Sequence, residues 1–310
     1  MEIVALVLAA FLQLVSLSLD QFRETVAAIK TVLVAQYVDA AEGQRLAGVL
    51  DRELQAGALG RVSQPDVFAA AVQSLLQRET RDRHLLMWPG SPIDILKIAP
   101  GGRLQGPAIG RTELRPDGVG YVEVRHFLNE AQGNAAIAAQ LDGAMRAVAA
   151  ASALVFDVRL NPGGDLSSAA HLSTYLFSAR THLLNRAVRG RSDVIEVWTR
   201  DEVPGPRVPG VPVYVLTSAD TFSAGEGFAF ALQKTGRAVI VGERTGGGGN
   251  SGTFARLPNG FTMFVSTGRT FDPRSGAGWQ VDGVRPDREV RASEALDVAL
   301  RLASAARASR

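Results

Sequence analysis

The chain has 310 residues, 46% of them hydrophobic, with 32 glycines and a formal charge of +2. That length suits one sizeable α/β domain with a smaller appendage. The balanced charge and scattered arginines argue against nucleic acid as a partner, and the absence of cysteine excludes thiol catalysis, disulfides and thiolate metal sites. The four histidines (His84, His126, His171, His182) are dispersed. Neither HExxH nor a phosphate loop ending in Gly-Lys-Ser/Thr is present, so no metal or cofactor is expected.

Residues 3–19 are almost wholly apolar, slightly short for a membrane span, and Ser16-Leu17-Ser18 supplies the small residues that a signal peptidase reads. Residues 1–18 are therefore expected to be a secretory signal, which places the chain in the periplasm or outside the cell. An uncleaved anchor and an ordinary buried helix are the alternatives, and only an uncleaved segment would tether the chain to a membrane. Glu2 stands where a positive residue is usual.

Residues 19–86 read as a helical subdomain. Phe22, Val26, Ile29 and Leu33 share one face, and Leu46, Val49, Leu50 and Leu54 another. A third helix is expected from Ser63, with Asp66 three residues on as a capping pair, through Phe68, Val72, Leu75 and Leu76. Residues 87–118 are rich in Gly and Pro and read as a connecting segment.

Residues 119–310 alternate strand and helix, which argues for a mainly parallel, buried sheet. Expected strands are Tyr121–Val124, Ala153–Leu160, Val213–Leu216, Ala238–Val241 and Phe261–Ser266. Helices are expected around Ile137–Val148 and Leu172–Leu176, over Gly225–Gln233, and from a Ser293 cap through Leu296, Leu300 and Leu302. Residues 246–249 are four glycines which, with Asn250-Ser251, read as a tight loop. Gly278–Val284 is a glycine-punctuated loop or short strand.

The chemistry is expected where the strand Val213–Leu216 turns into the next helix. Ser223 stands at the first helical turn, where backbone N–H groups without intrahelical partners can receive developing negative charge. On this segment alone, Ser223 or Thr221 could equally cap the helix. The Asn161-Pro162-Gly163-Gly164 turn is either an ordinary connection or, with the Ala224 N–H, a two-donor oxyanion hole. A nucleophilic serine needs a base. Lys234 lies eleven residues on, near the far end of the same helix, and reads as solvated. Spacing alone favours none of the four histidines.

ALVFDVRLNPGGD, TSADTFSAGEGFAFALQ, RAVIVGERTGGG and GWQVDGVRPD together resemble, in order and spacing, the carboxyl-terminal-processing (tail-specific) serine protease family. The branch resembled is that of the tricorn core and the repeats of interphotoreceptor retinoid-binding protein, and the likeness reaches into the helical segment through SQPDVFAAAVQSLLQRETRDRHL. The resemblance implies an α/β, ClpP/crotonase-like β-spiral core with an N-terminal helical subdomain. Residues 87–118 leave no room for the PDZ domain of the classical members.

By residue, the resemblance implies Ser223 as nucleophile, Ala224 and either Gly163 or Gly164 as oxyanion donors, and His84 in DRHL as base. The lysine of the classical dyad falls in Gly246–Gly249, which excludes a Ser–Lys pair. Arg83 replaces the serine before the histidine, and Trp279-Gln280 replaces Trp-Glu, so Gln280 or Asp282 is left to orient His84. The implied activity is serine-type peptide hydrolysis through a Ser223 acyl-enzyme, with a peptide or protein as substrate. A non-catalytic module for apolar ligands is the alternative, and an acyl-thioester enzyme a third reading.

Overall fold

Segments with helical and alternating apolar periodicity take up those forms in the computed structural model, which describes residues 16–57, 64–94, 104, 106–129, 134 and 136–308. The first half runs α1 (Leu19–Gln36), α2 (Ala40–Gln55), α3 (Pro65–Thr80), β1 (Leu86–Pro89), β2 (Ile109–Leu114), β3 (Val119–Val124), α4 (Ile137–Ala147), β4 (Ala153–Asp157) and α5 (Leu166–Thr174). The second runs β5 (His182–Val188), β6 (Val194–Trp198), β7 (Val213–Thr217), α6 (Ala224–Lys234), β8 (Val239–Gly242), β9 (Asn250–Arg256), β10 (Phe261–Phe271), β11 (Arg288–Glu289) and α7 (Ala295–Ala308). Contacts divide the chain into two units, the first holding residues 1–94, 188–190 and 250–268, the second the remainder.

In the first unit, Ser18 and Gln21 close a capping box on α1: the Ser18 hydroxyl accepts from the Gln21 N–H and the Gln21 side chain accepts from the Ser18 N–H. The signal segment expected over residues 1–18 lies, but for its last three residues, outside the described residues. Ser63, expected to open the third helix, also lies outside them. Helix α3 starts at Pro65, whose fixed φ suits a first turn, after a Gln64 that makes no side-chain cap. The expected faces of all three helices are buried, save for Leu54, which is only partly so, and they share a core with Leu85, Met87, Phe261, Met263 and Val265. Phe68 stacks edge-on against both Phe22 (5.0 Å) and Phe261 (5.5 Å). Strand β10 pairs with β9 and antiparallel with β1. The Arg189 guanidinium donates to the Val34 and Tyr37 carbonyls, satisfying the end of α1.

In the second unit, β3, β4, β7 and β8 run parallel, with β2 antiparallel on β3 and β11 parallel on β8. Strand β2 falls in the segment read as a connection. β4 and β7 are buried along their whole length, as their unbroken apolar runs require. One face carries α4, α5 and α6 through a core of Leu141, Phe156, Leu172, Val215, Phe228 and Ile240. The other packs on α7. The buried stripe of α7 is Ala295, Ala299 and Ala303, with the expected Leu296, Leu300 and Leu302 only flanking it, and Ser293 sits in a short 3-10 turn ahead of it. Small residues let that helix lie close to the sheet. The Asn250-Ser251 pair, read as part of the glycine loop, instead opens β9.

Candidate active site

In the second unit, β7 ends at a turn that feeds α6, and Ser223 is its last residue. The Thr221 hydroxyl donates to the Val158 carbonyl (2.8 Å), the Phe222 N–H to the Asn161 carbonyl (2.9 Å) and the Gly246 N–H to the Thr221 carbonyl (3.0 Å). Pinned on both sides, Ser223 adopts φ 51° and ψ −120°. L-residues with a Cβ rarely enter this region, at a cost of about 1–3 kcal/mol. Strained strand-to-helix turns of this kind raise a hydroxyl clear of the sheet.

The Asn161–Gly164 turn lies against it. Asn161, fully buried, donates to the Val124 carbonyl (3.0 Å) and accepts the Gly163 N–H (2.8 Å) through Oδ1. Gly163 has φ 114°, and a Cβ built there would lie 2.7 Å from Ser223 Cβ and 3.1 Å from Ala224 N. A side chain is thus barred both by conformation and by space. Gly164 has φ 133°, and a Cβ there would meet the Phe127 carbonyl carbon at 2.2 Å. The Gly163 N–H is taken by Asn161. Those of Gly164 and Ala224 make no hydrogen bond among the described residues. The Ala224 N–H also stands at the positive end of α6.

Behind the turn sits a carboxylate that the sequence reading passed over. Glu226 is fully buried and accepts four hydrogen bonds: from the Ser223 N–H (2.8 Å), the Thr245 hydroxyl (2.5 Å), and the Gly247 and Gly248 N–H groups (2.7 Å each). Burial pushes its carboxyl up to about 6, and the four donors hold it from rising further. Its signal was present as Ser-x-x-Glu at a helix start. The glycine loop in turn holds the segment carrying Gln280 and Asp282, because the Gly247 carbonyl accepts the Val281 N–H (2.8 Å). Gln280 is half-buried; Asp282 is exposed, and its carboxylate makes no hydrogen bond among the described residues.

His84 belongs to the first unit, in the turn between α3 and β1, and is 7% exposed. Two residues earlier, Asp82 is buried and accepts the Tyr37 hydroxyl (3.2 Å), the Asn250 side-chain amide (3.1 Å) and the His84 N–H (3.0 Å). Its Oδ1 lies 3.9 Å from His84 Nδ1. Burial holds the imidazole below its ordinary value, and the Asp82 charge partly offsets this. Burial, then the Asp82 charge, keeps the Tyr37 phenol protonated and able to donate. Asp82 is the second residue that sequence reasoning missed; its only signal was its place two residues before His84.

Residues 118–290 match the family described as Peptidase family S41. The chain belongs to peptidase family S41. A carboxyl-terminal-processing protease of Picosynechococcus is 29% identical over 161 residues, which cover 52% of this chain and 36% of that protein. The chain spans about a third of the length of the curated relatives it matches. Among solved structures, a lipoprotein from Streptococcus agalactiae superposes with a TM-score of 0.64 at 14% identity, covering 92% of this chain and 96% of that one. The tricorn protease superposes at 0.60 and 15% identity, covering 90% and 35%. At these identities the likeness shows the fold alone: an α/β fold that this family member shares with tricorn.

Within this family frame, Ser223, Ala224, Gly163 and Gly164 stand together in the second unit, and Gln280 and Asp282 sit on a loop held by Gly247. The remaining histidines have partners of their own. His126 Nε2 meets the Gly106 carbonyl (3.1 Å), His171 pairs with Asp142 (2.6 Å), and His182 stacks on Trp198 (4.3 Å). Lys234 lies over the Phe230 ring at the far end of α6. A cavity of about 610 Å³ opens at the carboxyl ends of β3, β4, β7 and β8, but none of Ser223, Ala224, Gly163 or Gly164 lines it. Among the described residues no cluster could hold a metal, and no helix is long and apolar enough to cross a membrane.

Proposed function

We propose that this chain is a serine-type peptidase that cleaves peptide bonds in protein or peptide substrates. The observation that carries the reading is the strained Ser223 backbone, stacked on a glycine that admits no side chain and flanked by two uncommitted N–H donors. Such strain persists only where the surrounding structure over-determines it, and it clusters at active sites.

In this reading Ser223 Oγ attacks the substrate carbonyl carbon and its proton passes to His84. The carbonyl oxygen, now negative, takes hydrogen bonds from the Ala224 and Gly164 N–H groups. Gly164 is chosen over Gly163 because the Gly163 N–H already serves Asn161. The C–N bond breaks, His84 returns the proton to the leaving amine, and water hydrolyses the acyl-enzyme by the same relay. Asp82 supplies the negative charge beside the imidazole, in place of the Gln280 or Asp282 considered from the sequence. It favours the imidazolium that forms in each half-reaction.

The reading is tested by incubating the protein with a denatured protein substrate and identifying new termini by mass spectrometry. Cleavage is expected, with a loss of about 10⁴-fold or more in Ser223→Ala. Cleavage undiminished in that variant overturns it. We also infer export, from the apolar run and the Ser16–Ser18 site. Recovery of an envelope form beginning at Leu19 is expected, and a cytoplasmic form retaining Met1–Ser18 contradicts it.

A further inference from the structure

We infer that Glu226 is a positioning residue for the Ser223 nucleophile, its ionised carboxylate clamping the strained turn to the glycine loop. The inference rests on the peptidase reading above and assigns the clamp by geometry.

Four donors from two segments converge on one buried carboxylate. Oε2 takes the Ser223 and Gly248 N–H groups; Oε1 takes the Gly247 N–H and the Thr245 hydroxyl. All four are filled only when both oxygens are acceptors, because a protonated oxygen presents a hydrogen where a donor already points. The Ser223 N–H is the group whose direction sets φ at that residue, so its acceptor holds the 51° conformation directly. The same carboxylate reaches onward. The Thr245 hydroxyl also accepts the Val284 N–H (2.7 Å), and Gly247 holds Val281. Loss of the charge would therefore free the serine turn and the glycine loop together.

Among the described residues, no charged side chain binds this carboxylate. On the adjoining loops, Arg244 donates to the Asp282 carbonyl (3.1 Å), and Glu243 accepts the Ala292 N–H. On α5, packed beside α6, Asp165 caps its own helix and His171 is paired with Asp142. On α6 itself, Lys234 lies over Phe230 at the opposite end. The clamp is thus governed by burial and by its four donors.

The test is the rate at which a fluorophosphonate probe labels the full-length protein from pH 4.5 to 9. The wild-type rate is expected to fall about tenfold per pH unit below about 6, where the carboxylate takes up its proton. Thr245→Val removes one donor to the ionised form, so the midpoint of that step is expected to move to higher pH by about half a unit or more. Glu226→Gln is expected to remove that step, leaving only the limb set by His84, and to lower the rate at pH 8 by tenfold or more. A merely structural role would lower the melting temperature of Thr245→Val and leave the midpoint in place. An unmoved midpoint in Thr245→Val, or full-rate labelling of Glu226→Gln at pH 8, overturns the inference. Should Glu226→Gln not fold, Thr245→Val alone decides. Labelling that persists in Ser223→Ala rejects the peptidase reading itself. Labelling lost there with an unmoved Thr245→Val midpoint rejects only the role of Glu226.

Discussion

Replacing Ser223 by glycine or by alanine separates the backbone's contribution from that of the hydroxyl. Both variants lack Oγ, so neither should label or hydrolyse. They differ in whether φ 51°, ψ −120° is tolerated. Alanine keeps a Cβ and its strain of about 1–3 kcal/mol. Glycine removes the strain but adds about 0.5–1 kcal/mol of chain entropy to the unfolded state. The glycine variant should therefore be the more stable by about 0.5–2 kcal/mol. At about 2–4 °C per kcal/mol for a domain of 150–250 residues, that is a separation of a few degrees in melting temperature. Scanning calorimetry of the two proteins at pH 8 reads it directly. An alanine variant that melts with or above the glycine variant would refute the idea that strain is stored at this serine.

Asp82→Asn removes the charge that partly offsets the burial of His84. The imidazole should drop further below its ordinary value, shifting the His84 limb of the pH–rate profile to lower pH. The plateau should fall about tenfold or more as the imidazolium loses its support. A limb that moves up would contradict the assignment. Glu226 has a folded value raised from 4.5 to about 6, so between those limits the folded state holds more protons than the unfolded chain. Its contribution therefore favours the fold at low pH and is lost as pH rises through that window, by about 2 kcal/mol in all. The urea-stability offset between wild type and Glu226→Gln should change by about 1.5 kcal/mol of this between pH 4.5 and 6.5, and an offset constant with pH is the contrary result. Gly163→Ala would put a Cβ 2.7 Å from Ser223 Cβ at φ 114°. Labelling at pH 8 should drop about 100-fold or more, whereas a wild-type rate would show that the turn yields easily.

Local periodicity carried the fold where a single buried face decides it. Phe22, Val26, Ile29 and Leu33 lie on one stripe, and Ala153–Asp157 is buried along its whole length, so both were legible in the sequence. Strands β9 and β10 were legible only in part. No local feature of residues 250–268 ties them to helices more than 150 residues earlier, yet Phe261, Met263 and Val265 complete that core. Alanine spacing in α7 was masked by more hydrophobic neighbours; the sheet favours the small residues because they allow close approach.

At the candidate site, glycines and a helix start pointed to Ser223, and family resemblance alone singled out His84. Gly163 and Gly164 could not be separated in the sequence, since their difference lies in where each N–H points. Asp82 and Glu226 were overlooked for a related reason. Carboxylates are mostly solvated surface groups, and only burial with several donors distinguishes these two.

The measurement that bears most directly on the central claim is the mass of the fluorophosphonate adduct and its position in the digested protein. One adduct, on Ser223, absent from Ser223→Ala and slowed at least a hundredfold in His84→Ala, is the expected result. An adduct on another residue, or labelling at an unchanged rate in Ser223→Ala, would contradict the account.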